Sequence, residues 1–238
     1  MKASDKVFAE KIYLFLSALF ITSLVVSNII FQKFFYWYPF DFSLLGQPLF
    51  EISVGLLPYP MTFLITDIIS EIYGKRRANM VVVLGIFASF FSAGILLVGN
   101  ALPAVEYSPI NDSLYERVFS LSPIAALASM IAYLVAQFID IRIYHFWKKL
   151  TKGKMLWLRN NFSTFISQFI DSITVVGLLC SFNVLSWDSF IGLSTASFIF
   201  KILIAIFDTP FLYIFVHIFR KRFSLKLEEE IDWNTHDE

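Results

Sequence analysis

Cysteine is nearly absent from this 238-residue chain. Cys180 stands alone, so no intramolecular disulfide can brace the fold. It lies in an apolar run with no metal-ligand pattern beside it, as a small buried apolar residue does. The three histidines, His145, His217 and His236, fall in neither HExxH nor any other metal spacing. A glycine-rich phosphate loop is missing, so the chain does not hydrolyse ATP by itself, and no serine lies in a GxSxG elbow. The expectation is a protein that is not an enzyme and holds no cofactor. Charge is scarce as well. Charged residues make up 16% of the chain and sum to zero, against about 25% in soluble domains. That balance argues against a nucleic-acid partner. No polar stretch is long enough to hold a separate soluble core.

What is abundant is hydrocarbon. Hydrophobic residues reach 57%, with 28 phenylalanines, and the mean hydropathy is +0.68. Crossing a bilayer takes about 20 mostly apolar residues in a helix. Six segments qualify: Ile12–Ile30, Leu56–Tyr73, Met80–Val98, Ile124–Trp147, Phe162–Phe182 and Phe190–Phe219. The first is too long for the apolar region of a signal peptide and has no small-residue cleavage site after it. The second opens with Leu57-Pro58-Tyr59-Pro60 and carries Asp67 and Glu71, the pattern of a broken or partly re-entrant segment.

Loop charge gives the orientation. Lysine and arginine cluster before segment one (Lys2, Lys6, Lys11), between two and three (Lys75, Arg76, Arg77), between four and five (Lys148, Lys149, Lys152, Lys154, Arg159) and after six (Arg220, Lys221, Arg222, Lys226). The intervening loops, Phe31–Gly55, Gly99–Pro123 and Asn183–Ser189, are poor in both. Strict alternation of this kind is what six spans with both termini in the cytoplasm require. The expected fold class is therefore an all-α membrane protein, one six-helix domain over residues 1–238. Residues 225–238 form an acidic cytoplasmic tail, solvated and frayed. Tyr36, Trp37 and Tyr38 suit the aromatic belt at the outer interface, Trp147 and Trp157 the inner one, and the 99–123 loop has room for a short interfacial turn.

Ionisable groups inside a span cost at least about 2.5–3.5 kcal/mol each and therefore mark function by default. Here they come in pairs on one helix face: Asp67 and Glu71, Gln137 and Asp140, Gln168 and Asp171, Lys201 and Asp208. The tetrapeptide Gln-Phe-Ile-Asp occurs twice, at 137–140 and 168–171, on two neighbouring antiparallel helices. The four stripes are expected to converge on one interior cavity, where transporters hold their substrates. Two plainer readings stand beside that one. Asp140 can pair with Arg142, or Lys201 with Asp171 or Asp208, as glue between helices, and Glu71 can snorkel toward Lys75. Asp208-Thr209-Pro210 is expected to kink the last helix and free a carbonyl toward the cavity. The mixture of carboxylates, amides, one amine and one guanidinium suits an organic solute better than an ion channel.

The stretch Thr66-Asp67-Ile68-Ile69-Ser70-Glu71-Ile72-Tyr73-Gly74-Lys75 resembles the signature of the queuosine precursor transporter family, also described as vitamin uptake transporters. So do Ala136–His145, Leu156-Trp157-Leu158-Arg159-Asn160-Asn161 and Ser167–Asp171. In that pattern a glycine usually follows the two asparagines. Here Phe162 stands in its place, which argues against close backbone approach to a substrate. The resemblance implies a six-helix inner-membrane importer of 7-deazaguanine bases, the 7-cyano and 7-aminomethyl compounds or queuine, for tRNA modification salvage. A carboxylate accepts both the N–H and the amino group of a guanine-like edge. Asp140 or Asp171 would fill that role, with Gln137 and Gln168 orienting the base. Asn160 and Asn161 would line the inner mouth, Phe138, Tyr133 or Phe169 would stack on the ring, and Lys201 would hold the carboxylates ionised. Asp67, Glu71 and Asp208 complete the candidate set. The expected partners are a purine-like small molecule and membrane lipid, with a homodimer compatible. Two other classes fit the same bundle: a substrate-capturing subunit of an ATP-driven vitamin importer, and a non-transporting membrane scaffold.

Overall fold

The computed structural model describes residues 3–31, 33–36, 43–44, 47–48, 51–119, 123–183, 185–227 and 229–231. Trp37, Tyr38 and the tail acids Glu228, Asp232, Asp237 and Glu238 lie outside them. Helices dominate: α1 (Ala3–Ile30), α2 (Tyr59–Ile72), α3 (Lys75–Ala101), α4 (Asp112–Phe119), α5 (Pro123–Leu150), α6 (Leu156–Ser181) and α7 (Phe190–Phe223). Six of the seven overlie the six apolar segments read from the sequence. The seventh, α4, is the short turn expected in the 99–123 loop.

Two features depart from an all-α bundle of six full-length spans. The α1–α2 connection pairs β1 (Phe34–Tyr36) with β4 (Glu51–Ser53), and β2 (Ser43–Leu44) with β3 (Gln47–Pro48), both antiparallel. A loop this long must satisfy its own backbone, and a strand ladder does so with aromatic and β-branched residues at hand. The second departure is α2. Its 14 residues rise about 21 Å, short of the roughly 30 Å hydrocarbon thickness. Pro58 at its N-cap and Pro60 within its first turn start the helix late, and a 3-10 turn over Val54–Leu56 precedes it. Segment two is a 3-10 turn followed by a short helix, not one continuous helix.

Among the described residues, four helices are long and apolar enough to cross a membrane: Ser4–Ile30, Lys75–Ala101, Leu156–Ser181 and Trp187–Phe223. The bundle is inside-out relative to a soluble domain. Leu14, Phe15, Phe87, Phe91, Phe146 and Phe207 face outward, while Thr66, Asp67, Glu71, Gln137, Asp140 and Arg159 are buried. Such a pattern is stable only where the outside is hydrocarbon. The chain is a multi-pass membrane protein. At its centre α2 packs against α1, α3, α5 and α7, and every residue from Thr62 to Ile72 is buried.

At the Lys/Arg-rich end the turns are sharply defined. Gly74 joins α2 to α3 at φ 84°, ψ 166°, a conformation essentially reserved for glycine. α7 passes through Pro210 without ending and closes on Arg220, Lys221 and Arg222, cations that complement its C-terminal dipole. The segment after α7 is docked where a frayed tail was expected. Ile231 N–H donates to Ile72 O at 2.9 Å and the Ile231 side chain is buried. Glu230 accepts from Lys148 Nζ at 2.8 Å. A backbone hydrogen bond, a buried isoleucine and a buried cation outweigh the entropy that composition alone suggested.

Candidate substrate site

Residues of α2, α6 and α7 line a narrow, partly open cavity. α6 contributes Asn160, Thr164 and Gln168 at a spacing of four, one face of a helix. α2 supplies Tyr59, Phe63 and Asp67, and α7 supplies Phe200, Lys201 and Asp208. Several polar atoms of this lining lack protein partners. Asn160 Oδ1 and Gln168 Oε1 are buried and accept no hydrogen bond. Leaving such a group unmet costs about 1–3 kcal/mol, so these atoms are acceptors available to a hydrogen-bonding occupant. Just behind its wall, Ser167 Oγ donates to Asp140 Oδ1 at 3.0 Å, and the Asp140 carboxyl also shares a hydrogen bond with Asp67. Gln137 Nε2 donates to Thr66 Oγ1 at 2.9 Å and leaves its own carbonyl oxygen unmet.

A second, larger space lies toward the strand-bearing end, lined by Ser27, Asn28, Ser53, Ser89, Tyr133 and Ser197 among others. The two spaces share Leu56, Tyr59 and Lys201. Between them Lys201 Nζ donates to Asp171 Oδ2, Tyr59 Oη donates to the same oxygen at 2.8 Å, and the ammonium lies 5.1 Å from the Tyr59 ring centroid. Asp171, Lys201 and Tyr59 form a polar septum across the bundle.

At the other end of the cavity Glu71 is fully buried at the hub of an ionic plug. Its Oε1 accepts from Arg159 and Arg220, and its Oε2 accepts from Tyr144 Oη at 2.9 Å. Lys148 Nζ donates to the Glu71 carbonyl at 3.0 Å and also holds Glu230. Arg159 Nη1 is anchored on Gly153 O at 2.7 Å. Glu71 does not reach Lys75 and lies away from the cavity lining.

The sequence-derived candidates thus separate. Asp67, Gln168, Lys201 and Asp208 line the inner cavity. Asp171 belongs to the septum and lines the larger space. Gln137 and Asp140 stand behind the wall. Asn161 points elsewhere, exchanging hydrogen bonds with Thr209 Oγ1 at 3.0 and 3.1 Å and tying α6 to α7 beside Pro210. Arg142 is exposed, so it is no partner for Asp140. Lys201 pairs with Asp171 and not with Asp208. Of the stacking candidates, Phe169 is half exposed and packs on Phe198, whereas Tyr133 lines the larger space. Phe162 also faces outward, against Trp147. Its bulk is therefore spent on the lipid side and leaves the cavity open. Tyr59, Thr164, Arg159 and Arg220 emerged only from the fold. The spacing of four from Asn160 through Thr164 to Gln168 was the one signal that pointed to any of them.

The family model described as "Putative vitamin uptake transporter" matches residues 53–215, most of the chain and every residue of the cavity. The chain belongs to that family. The transporter is also 27% identical over 164 residues, 68% of its length and 70% of the other protein, to the "Probable queuosine precursor transporter" of Bacillus subtilis (strain 168). No solved structure matches it. The matched range takes in the septum and, apart from Arg220 and Glu230, the plug.

Proposed function

We propose that this transporter imports queuosine precursors, 7-deazaguanine bases, across the inner membrane for salvage into tRNA. The observation that carries the reading is the acceptor-lined cavity between α2, α6 and α7, with Asn160 Oδ1 and Gln168 Oε1 buried and unmet. A deazaguanine presents an amino group beside a ring N–H, donors that this set accepts. Tyr59, Phe63 and Phe200 offer rings for its flat face. The family assignment and the similarity to a queuosine precursor transporter support the same class. The Lys/Arg-rich end is cytoplasmic, and α2 with the turn before it makes the sixth crossing. Substrate enters the larger space from outside, passes the Asp171–Lys201–Tyr59 septum, and leaves when the Glu71 plug opens.

The test is queuosine content of tRNA in a bacterial strain that lacks both synthesis of queuosine and its own importer. With this chain expressed and each precursor fed singly at low concentration, one or more precursors restores the modification. No restoration despite verified membrane insertion overturns the reading. Uptake by the purified chain in liposomes separates a self-sufficient carrier from a subunit of an ATP-driven importer.

A further inference from the structure

The charge inside the cavity does not balance. Lys201, the cation in the lining, is committed to Asp171 and to the face of Tyr59. Asp67 and Asp208 line the same cavity and make no ion pair among the described residues. Asp140 shares a hydrogen bond with Asp67, and Asp208 lies within electrostatic reach of it, so three carboxyl groups from α2, α5 and α7 converge without a protein cation. Asn160 Oδ1 and Gln168 Oε1, each over nine-tenths buried, turn further unmet acceptors into the space. A buried carboxylate has to be met by a cation or lose its charge. The plug shows the alternative arrangement in the same molecule: there one carboxylate, Glu71, is met by two arginines.

We propose that Asp208, with Asp67 behind it, reads a positive charge on the substrate, a protonated primary amine on a short arm of a flat amino-bearing base. Lys201 lies seven residues before Asp208 in α7, about 10 Å along the axis, so the septum and the amine subsite occupy opposite ends of the cavity. The base lies between them against Tyr59 and Phe200, its donors on Asn160 and Gln168. The amine completes the pairing that the protein leaves open. Asp208 is the better placed of the two for discrimination, because it is partly exposed at the cavity edge while Asp67 is buried. This subsite rests on the deazaguanine reading and sharpens it to the cationic members of that class.

Equilibrium binding to the full-length chain purified in detergent tests it, with three probes of matched ring: the 7-aminomethyl, 7-hydroxymethyl and 7-cyano deazaguanines. The hydroxymethyl compound keeps the arm and a donor but carries no charge. The aminomethyl compound is expected to bind about tenfold or more tighter than either neutral one, as a charge-assisted hydrogen bond in a dry site implies. Asp208→Asn is expected to shrink that ratio to about twofold. Equal or tighter binding of the neutral compounds overturns the charge-reading role while leaving deazaguanine transport intact. Binding of none of the three overturns both. The comparison between ligands uses the wild-type chain alone, so a variant that fails to fold does not rescue the proposal.

Discussion

At the scale of single residues, Glu71 carries the largest local stake. Two guanidiniums, an ammonium and a phenol surround one carboxylate with no exposure to solvent. Removing one partner of such a buried cluster costs on the order of 3–5 kcal/mol, because the remaining charges stay buried and unpaired. Glu71→Ala should therefore lower the thermal midpoint of the purified protein steeply. Arg220→Ala should lower it less, since Arg159 still meets the carboxylate, and a thermal ramp monitored by size-exclusion recovery would rank them. An equal effect from the two would mean that Arg159 alone cannot hold the charge. Spacing in the sequence put Glu71 on one face with Asp67, and both are indeed buried. What spacing cannot supply is destination. In a helix enclosed on all sides, i and i+4 open toward different neighbours along the axis, and Glu71's partners come from 88 and 149 residues away. The same limit explains the asparagines. Asn160 and Asn161 are adjacent in sequence, yet a 100° step sends one into the cavity and the other to Thr209.

At the scale of elements, the α2–α3 joint is the most constrained feature. Gly74 holds a backbone conformation that L residues avoid, and a Cβ there would also collide with the Glu230 carboxylate. Gly74→Ala should cost about 1–3 kcal/mol. The cost should persist in a Glu230→Ala background if the backbone is its main cause, and disappear there if the collision is. Thermal midpoints of the four proteins in that cycle decide between them. Helix existence was readable from hydropathy because each long segment had to bury its backbone in itself. The truncation of α2 was readable only as a warning from Pro58 and Pro60. The strand pairs were not readable at all, since two- and three-residue ladders leave no period in the sequence.

For the whole molecule, the predicted orientation is open to a direct test, and the single cysteine makes it simple. In a Cys180→Ser background, Glu106→Cys and Lys154→Cys place thiols in exposed loops at opposite ends of the bundle. Intact spheroplasts treated with a membrane-impermeant maleimide should label the first and spare the second until permeabilised. The reverse pattern would invert the topology and, with it, the direction assigned to septum and plug. Charge alternation is what proposes this orientation from sequence alone. The separation of the polar groups into septum, cavity and plug was not, because it depends on how far each helix slides along its neighbours. The Ser167–Asp140 hydrogen bond fixes that slide for α5 and α6. In the resulting antiparallel register the two Gln-Phe-Ile-Asp copies run head to tail.

The docking of Glu230 and Ile231 also imposes an order on biogenesis. Glu71 leaves the ribosome well before either arginine that neutralises it, and the strap that packs over the Gly74 joint emerges after all seven helices. Until Arg159 arrives, a nascent α2 carries an unmatched carboxylate, and in the proposed orientation a short helix flanked by Lys75, Arg76 and Arg77 can wait near the cytoplasmic interface at little cost. Its full insertion is expected to follow the synthesis of α6 and α7. A helix of only 14 residues is well suited to that delay.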